Sequence, residues 1–162
     1  MATIAVEIAR KLGVEDAGLD DLRTAAKLHD IGKMAVPDEI LGKQGPLDED
    51  EFRVVKTHPV VGAELLRAWG LEQAGRFVLQ HHERIDGTGY PAGLQGDEIA
   101  LESRIIHVAD AFVAMTLDRP YRQAMKRSEA IEELVRNSGT QFDAAVVNAL
   151  RALERSDATR AA

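Results

Sequence analysis

The chain of 162 residues is 45% hydrophobic, 29% charged and only 4% aromatic, which suits one compact domain with its own core and favours helices over a β-sandwich. Cysteine is absent, so disulfides, zinc ribbons and thiol nucleophiles are excluded, and any metal must rest on histidine and carboxylate. A net charge of -7 argues against duplex nucleic acid as a partner, and no apolar run approaches the roughly 20 residues that cross a bilayer.

In chain order, Ile4, Val6, Ile8, Ala9 and Leu12 recur at near-helical spacing and Gly13 stops the run. This helix starts without a capping residue and reads as cut from a longer one. A second helix is expected from about Leu19 to Asp30, with Leu22, Ala25, Ala26 and His29 sharing a face. Pro37, Gly42, Gly45 and Pro46 mark a connector. Asp48 and Glu51 form a capping box for a helix running toward His58, and Pro59 suits a first turn. Helical spacing returns through Val60 to Leu66 and from Leu71 to His81, then collapses between Glu83 and Leu101, where Gly87, Gly89, Gly93, Gly96 and Pro91 break any helix. A strong helix follows from Glu102 to about Leu117. Ser128 and Asp143 are expected caps for two more, the last ending near Glu154 with the remainder fraying. The fold class is therefore all-α, a compact helical bundle. The N-terminus shows no signal-peptide pattern, and a cytoplasmic location without membrane contact is expected.

The residues that carry chemistry are His29 and Asp30, His58, and His81 and His82, at or near the ends of these helices, with Asp110 on the helix expected from Glu102. A single histidine on an apolar face is ordinarily a core residue with one satisfied nitrogen. Several together with aspartates form the mixed nitrogen and oxygen set that holds iron, manganese or zinc, and a bundle can present such a set inward from facing helices. His107 lies three residues before Asp110 with no further reason to be a ligand.

The stretches "HDIGK", "THP", "HHERIDGTGYPAGLQGDEI", "ADAFVAMTLDRPYR" and "GTQFD", in this order, resemble the signature of the HD-GYP domain, a bacterial branch of the HD metal-dependent phosphohydrolases. The resemblance implies an HD-type bundle over residues 1–155 with a long GYP loop and a frayed tail over 156–162. It implies hydrolysis of the second messenger cyclic di-GMP to linear dinucleotide, to GMP, or to both, in bacterial signal transduction. By position, His29, Asp30, His58, His81, His82 and Asp110 match metal ligands, with Asp30 bridging two divalent ions. A third ion is an option. Iron or manganese is the first choice, with zinc, nickel and magnesium as alternatives. Asp30 and Lys33 are the implied catalytic pair, Lys33 anchoring a phosphate or acting as acid near the leaving oxygen. Gly89, Tyr90 and Pro91, with Lys33, Arg119 and Arg122, match substrate-binding positions. A protein partner through the GYP loop and an upstream regulatory domain in a full-length protein are further implications.

Phosphodiester hydrolysis needs a strong nucleophile at neutral pH and relief of charge on the phosphoryl oxygens, which paired ions about 3.5 to 4 Å apart supply. An acidic chain must concentrate cations locally to hold an anionic dinucleotide, and the guanidinium fork suits phosphate oxygens.

Two departures from the family pattern stand out. The histidine usual on the first helix is absent, consistent with truncation of that helix. Val113 stands where an aspartate is usual. Both leave a second reading open, a degenerate sensor or docking module that binds metal or ligand with little turnover.

Overall fold

The computed structural model describes residues 1–118 and 123–160. The Arg119 and Arg122 positions singled out above lie outside the described residues. Among the described residues there is no strand, and the isolated bridges pair Asp86 with Gln95 and Ser138 with Phe142.

Helix α1 (Ala2–Lys11) buries Ala5, Val6, Ile8 and Ala9 and carries Arg10 and Lys11 in its last turn, where cations complement the macrodipole. Helix α2 (Asp16–Leu28) begins three residues before the expected Leu19. The cause is Glu15, whose extended backbone is the N-cap, while the polar first turn that follows carries no apolar periodicity. The connector expected around Pro37 holds two short elements, a 3-10 turn over Ile31–Ala35 and α3 (Asp38–Leu41), each too short to show a period.

The expected capping box is present at α4 (Glu49–Val55): Glu51 N–H donates to Asp48 Oδ1 and Asp48 N–H to Glu51 Oε2, both at 2.9 Å. Helix α5 (His58–Ala68) has Pro59 in its first turn, and α6 (Glu72–Gln80) follows. From 82 to 100 the chain is irregular apart from a 3-10 turn at Gly96–Glu98. Helix α7 (Leu101–Thr116) is the long central element.

Helix α8 (Arg127–Arg136) starts one residue before Ser128, which is therefore not its cap; Lys126 N–H reaches Glu129 Oε2 at 3.2 Å instead. Asp143 does cap α9 (Ala144–Arg160), accepting from Ala145 N–H at 2.7 Å and Val146 N–H at 3.2 Å. That helix passes well beyond the expected end at Glu154.

Ile8, Leu22, Leu66, Val78, Ile105, Ile106 and Phe112 are fully buried and make one contiguous core, each side chain contributing about 1.5 to 3 kcal/mol of transfer free energy. Helix α5 packs on α6 and on the 3-10 turn at 31–35, and α2 packs on α6. This packing brings the C-terminal ends of α2 and α6 together with the N-terminal end of α5. The close fit explains Gly32: a Cβ there would lie 2.0 Å from the His58 carbonyl oxygen and 2.6 Å from Gly62 N.

Candidate metal centre

Three histidines are placed by one local device. His29 follows the last residue of α2, His58 follows the end of α4 and opens α5, and His81 follows α6. In each, ring Nδ1 meets the backbone carbonyl three residues earlier: Ala26 at 3.1 Å, Val55 at 2.7 Å and Val78 at 2.6 Å. These carbonyls at helix ends want donors, and a carbonyl accepts only, so each Nδ1 carries the proton; the Nε2 of His58 and of His81 presents a lone pair, while that of His29 faces the carboxylates of Asp30 and Asp110.

Those Nε2 atoms converge. His58 Nε2 lies 3.4 Å from His81 Nε2 and 3.4 Å from Asp30 Oδ1. His29 Nε2 lies 3.4 Å from Asp30 Oδ2 and 3.6 Å from Asp110 Oδ1. Donor atoms of Asp30, His58, His81 and His82 all fall within 4.8 Å of one another. The six residues expected as ligands thus share one cluster, and Asp30 turns one oxygen toward His58 and the other toward His29. Two lone pairs aimed at each other across 3.4 Å, on side chains each 1% exposed, have no proton between them to share. A cation of the kind imidazole and carboxylate ligate satisfies both, so this donor set fits a divalent metal.

The electrostatics agree. Burial first, then the neighbouring imidazoles, push His81 down to about 3, against the opposing bond to Val78. His82 is also lowered, chiefly by burial and then by His81 and His58, and burial lowers His58. These rings are neutral at pH 7. His29 differs: burial pulls it down, but the hydrogen bond to Asp110 and the charges of Asp30 and Asp110 outweigh burial and raise it. Asp110 is lowered, its burial being outweighed by the same bond and by the His29 charge.

Lys33 donates to Asp30 Oδ2 at 2.7 Å from the 3-10 turn that follows the histidine-aspartate pair. The Tyr90 ring is stacked on His82 with centroids 4.8 Å apart and planes at 27°. Burial and then the charges of Asp30 and Asp110 raise its phenol pKa. Gly89 allows this approach, since a Cβ would sit 2.4 Å from Arg84 N and 2.6 Å from the His82 carbonyl oxygen. Pro91 lies at the edge of a groove of about 340 Å³, shared with Arg53, Lys56, Thr57, Val60, Val61 and Tyr90. Lys56 Nζ stands 4.6 Å from the Phe52 ring centroid and 5.5 Å from that of Tyr90.

His107, left outside the ligand set, donates through Nδ1 to the Glu83 carbonyl oxygen at 3.0 Å and faces Gln141 at 3.5 Å. It braces the turn that carries His82. Glu83, to which the motif assigns no role, is buried directly after His82. The signal available for it was its place directly after the paired histidines.

A family model described as HD domain matches residues 1–146. The chain is 42% identical over 153 residues to the cyclic di-GMP phosphodiesterase response regulator RpfG of Xanthomonas campestris pv. campestris, covering 93% of this chain and 40% of that protein. It is 44% identical over 145 residues to the 3'3'-cGAMP-specific phosphodiesterase 3 of Vibrio cholerae serotype O1, covering 89% of this chain and 32% of that one. The chain therefore spans about a third to two-fifths of these relatives. Among solved structures, Bd1817, an HDG"Y"P protein from Bdellovibrio bacteriovorus, superimposes with a TM-score of 0.74 at 22% identity, over 95% of this chain and 50% of that one.

Proposed function

We propose that this chain, which belongs to the HD domain family and to its HD-GYP branch, is a metal-dependent phosphodiesterase acting on cyclic di-GMP. The observation that carries this reading is Asp30, whose two oxygens each face a separate imidazole at 3.4 Å, the disposition a bridging carboxylate needs. His58, His81 and His82 on one side, and His29 with Asp110 on the other, would hold two divalent ions, iron or manganese first. When bound, such ions neutralise phosphoryl oxygens and make water a stronger nucleophile at neutral pH.

The protein's own residues bind and orient. Lys33, fixed by Asp30 at 2.7 Å, offers its ammonium to a phosphate oxygen or to the departing 3' oxygen. In the overall step, water adds its oxygen to phosphorus, the P–O3' bond breaks and a proton ends on the 3' oxygen. Tyr90 walls the site over His82, and Arg119 and Arg122 would hold the ligand's phosphates. The product is linear dinucleotide, GMP, or both.

The two relatives at 42% and 44% identity both carry phosphodiesterase names, which favours turnover over the docking-module reading. Their greater length supports placing this domain in a longer regulator under an upstream domain, and the groove beside Pro91 suits a protein contact through the loop. Among the described residues no helix is long and apolar enough to cross a membrane; a cytoplasmic site of action follows from the proposed second-messenger substrate.

The test is incubation of manganese- or iron-loaded protein with cyclic di-GMP, with chromatographic separation of products and Asp30→Ala as control. Cleavage by the parent protein and none by the control is expected. Binding without cleavage by the parent would overturn the enzymatic reading.

A further inference from the structure

Glu83 is a buried carboxylate that the proposed reaction does not use. It is 2% exposed, and an acid removed from water is costly unless its oxygens are satisfied. Here both are: Oε1 accepts from Ala92 N–H at 2.7 Å and Oε2 from Leu94 N–H at 3.1 Å. Among the described residues, the hydrogen bonds donated by the stretch 91–94 end on this one side chain. The backbone of Glu83 is fixed in turn, its N–H to the Gln80 carbonyl at 2.9 Å and its carbonyl by His107 Nδ1 at 3.0 Å. Directly before it stands His82, whose carbonyl accepts from Tyr90 N–H at 3.2 Å and whose ring lies under Tyr90.

We propose that Glu83 is a positioning residue: its carboxylate clamps the stretch just after Pro91 to the turn carrying His82, and so holds the Tyr90 ring over the metal-facing histidine. The clamp crosses the loop at its C-terminal side, while the Tyr90 N–H bond holds the other side, so the ring is pinned between two anchors on adjacent residues. Charge-assisted bonds to backbone N–H groups are the stronger kind, and a rigid supporting contact of this sort preorganises the residue it braces. The activity arm of the test rests on the phosphodiesterase reading; the exchange arm does not.

Glu83→Gln keeps the shape but turns an NH₂ group toward one of the two N–H donors, losing a bond and opposing two donors. In metal-free protein, amide exchange of the peptide spanning 88–95 should quicken by about tenfold or more, with α5 and α7 unchanged. In manganese-loaded protein, kcat/KM for cyclic di-GMP should fall by about 10- to 100-fold, carried by KM, with metal content unchanged. In a Tyr90→Ala background the same substitution should cost less than about threefold, because the residue it positions is gone. Unchanged loop exchange, or an equal loss in both backgrounds, overturns the proposal. If the Gln variant fails to fold by circular dichroism, Glu83→Asp, which keeps the charge but not the reach to both N–H groups, replaces it in the same measurements. A parent protein that leaves cyclic di-GMP intact would count against the phosphodiesterase reading, and loop exchange alone would then decide on the clamp.

Discussion

Lowering the pH from 7 to 5 should destabilise the metal-free protein, and His81 sets the scale. Burial holds this ring neutral, from the usual 6.5 down to about 3 in the folded chain. In the unfolded chain the ring returns to its usual range and is about 97% protonated at pH 5. The unfolded state therefore binds more protons throughout the window between these values, and stability rises with pH there. It is fully present above 6.5 and lost as the pH falls toward 3. At about 1.4 kcal/mol per pH unit once the unfolded ring is charged, the step from pH 7 to pH 5 costs about 2 kcal/mol for His81 alone. His58, His82 and His107, all lowered chiefly by burial, act with the same sign. His29 is raised and opposes them, its contribution being present in acid and lost as the pH rises. The assay that separates His81 from the rest is urea unfolding, followed by circular dichroism with chelator present, of parent protein and His81→Leu at both pH values. The variant should lose about 2 kcal/mol less than the parent between pH 7 and pH 5. Equal losses in both would refute the claim that His81 is held neutral with its lone pair turned inward.

Gly32→Ala should destabilise by about 3 kcal/mol in the same urea assay and weaken metal binding, because the new methyl would meet the His58 carbonyl oxygen at 2.0 Å; a change below about 0.5 kcal/mol would contradict the close approach. Lys33→Met, which keeps the stem and removes the charge, should lower kcat by about 100-fold or more with metal content intact, since the proton or charge supplied at the leaving oxygen is lost; an unchanged kcat would remove Lys33 from the reaction. Val113 lies one turn beyond Asp110 on α7, where the family resemblance implies a carboxylate, so Val113→Asp should raise kcat, and an unchanged or lower value would dismiss that idea.

The placement of the candidate ligands was legible for five of the six, because His29, Asp30, His58, His81 and His82 stand at or just after helix ends, which are marked in sequence by caps, glycines and loss of period, whereas Asp110 lies inside α7. His29, His58 and His81 each follow such an end, and the carbonyl three residues earlier that orients each ring is a direct consequence of being there. The capping box at Asp48 and the cap at Asp143 were legible for the same local reason. What escaped is what depends on distant backbone. The start of α2 at Asp16 lies in a polar turn, and α3 is too short to show a period. The need for Gly32 arises from α5, some thirty residues later. Glu83 reads as one more polar residue in a loop until the fold brings the N–H groups of Ala92 and Leu94 onto its carboxylate. Local chemistry is written in neighbouring residues; closure of an irregular loop is decided by distances that only the packed chain sets.

The most direct measurement of the metal centre is manganese stoichiometry in chelator-stripped protein reloaded under anaerobic conditions, read by atomic absorption and electron paramagnetic resonance. About two ions per chain with a spin-coupled signal in the parent, falling to one uncoupled ion or none in Asp30→Ala, is the expected result. A parent that binds no manganese, or an Asp30→Ala variant with the same stoichiometry and the same coupled signal, would contradict the assignment of Asp30 as the carboxylate that joins two metal sites.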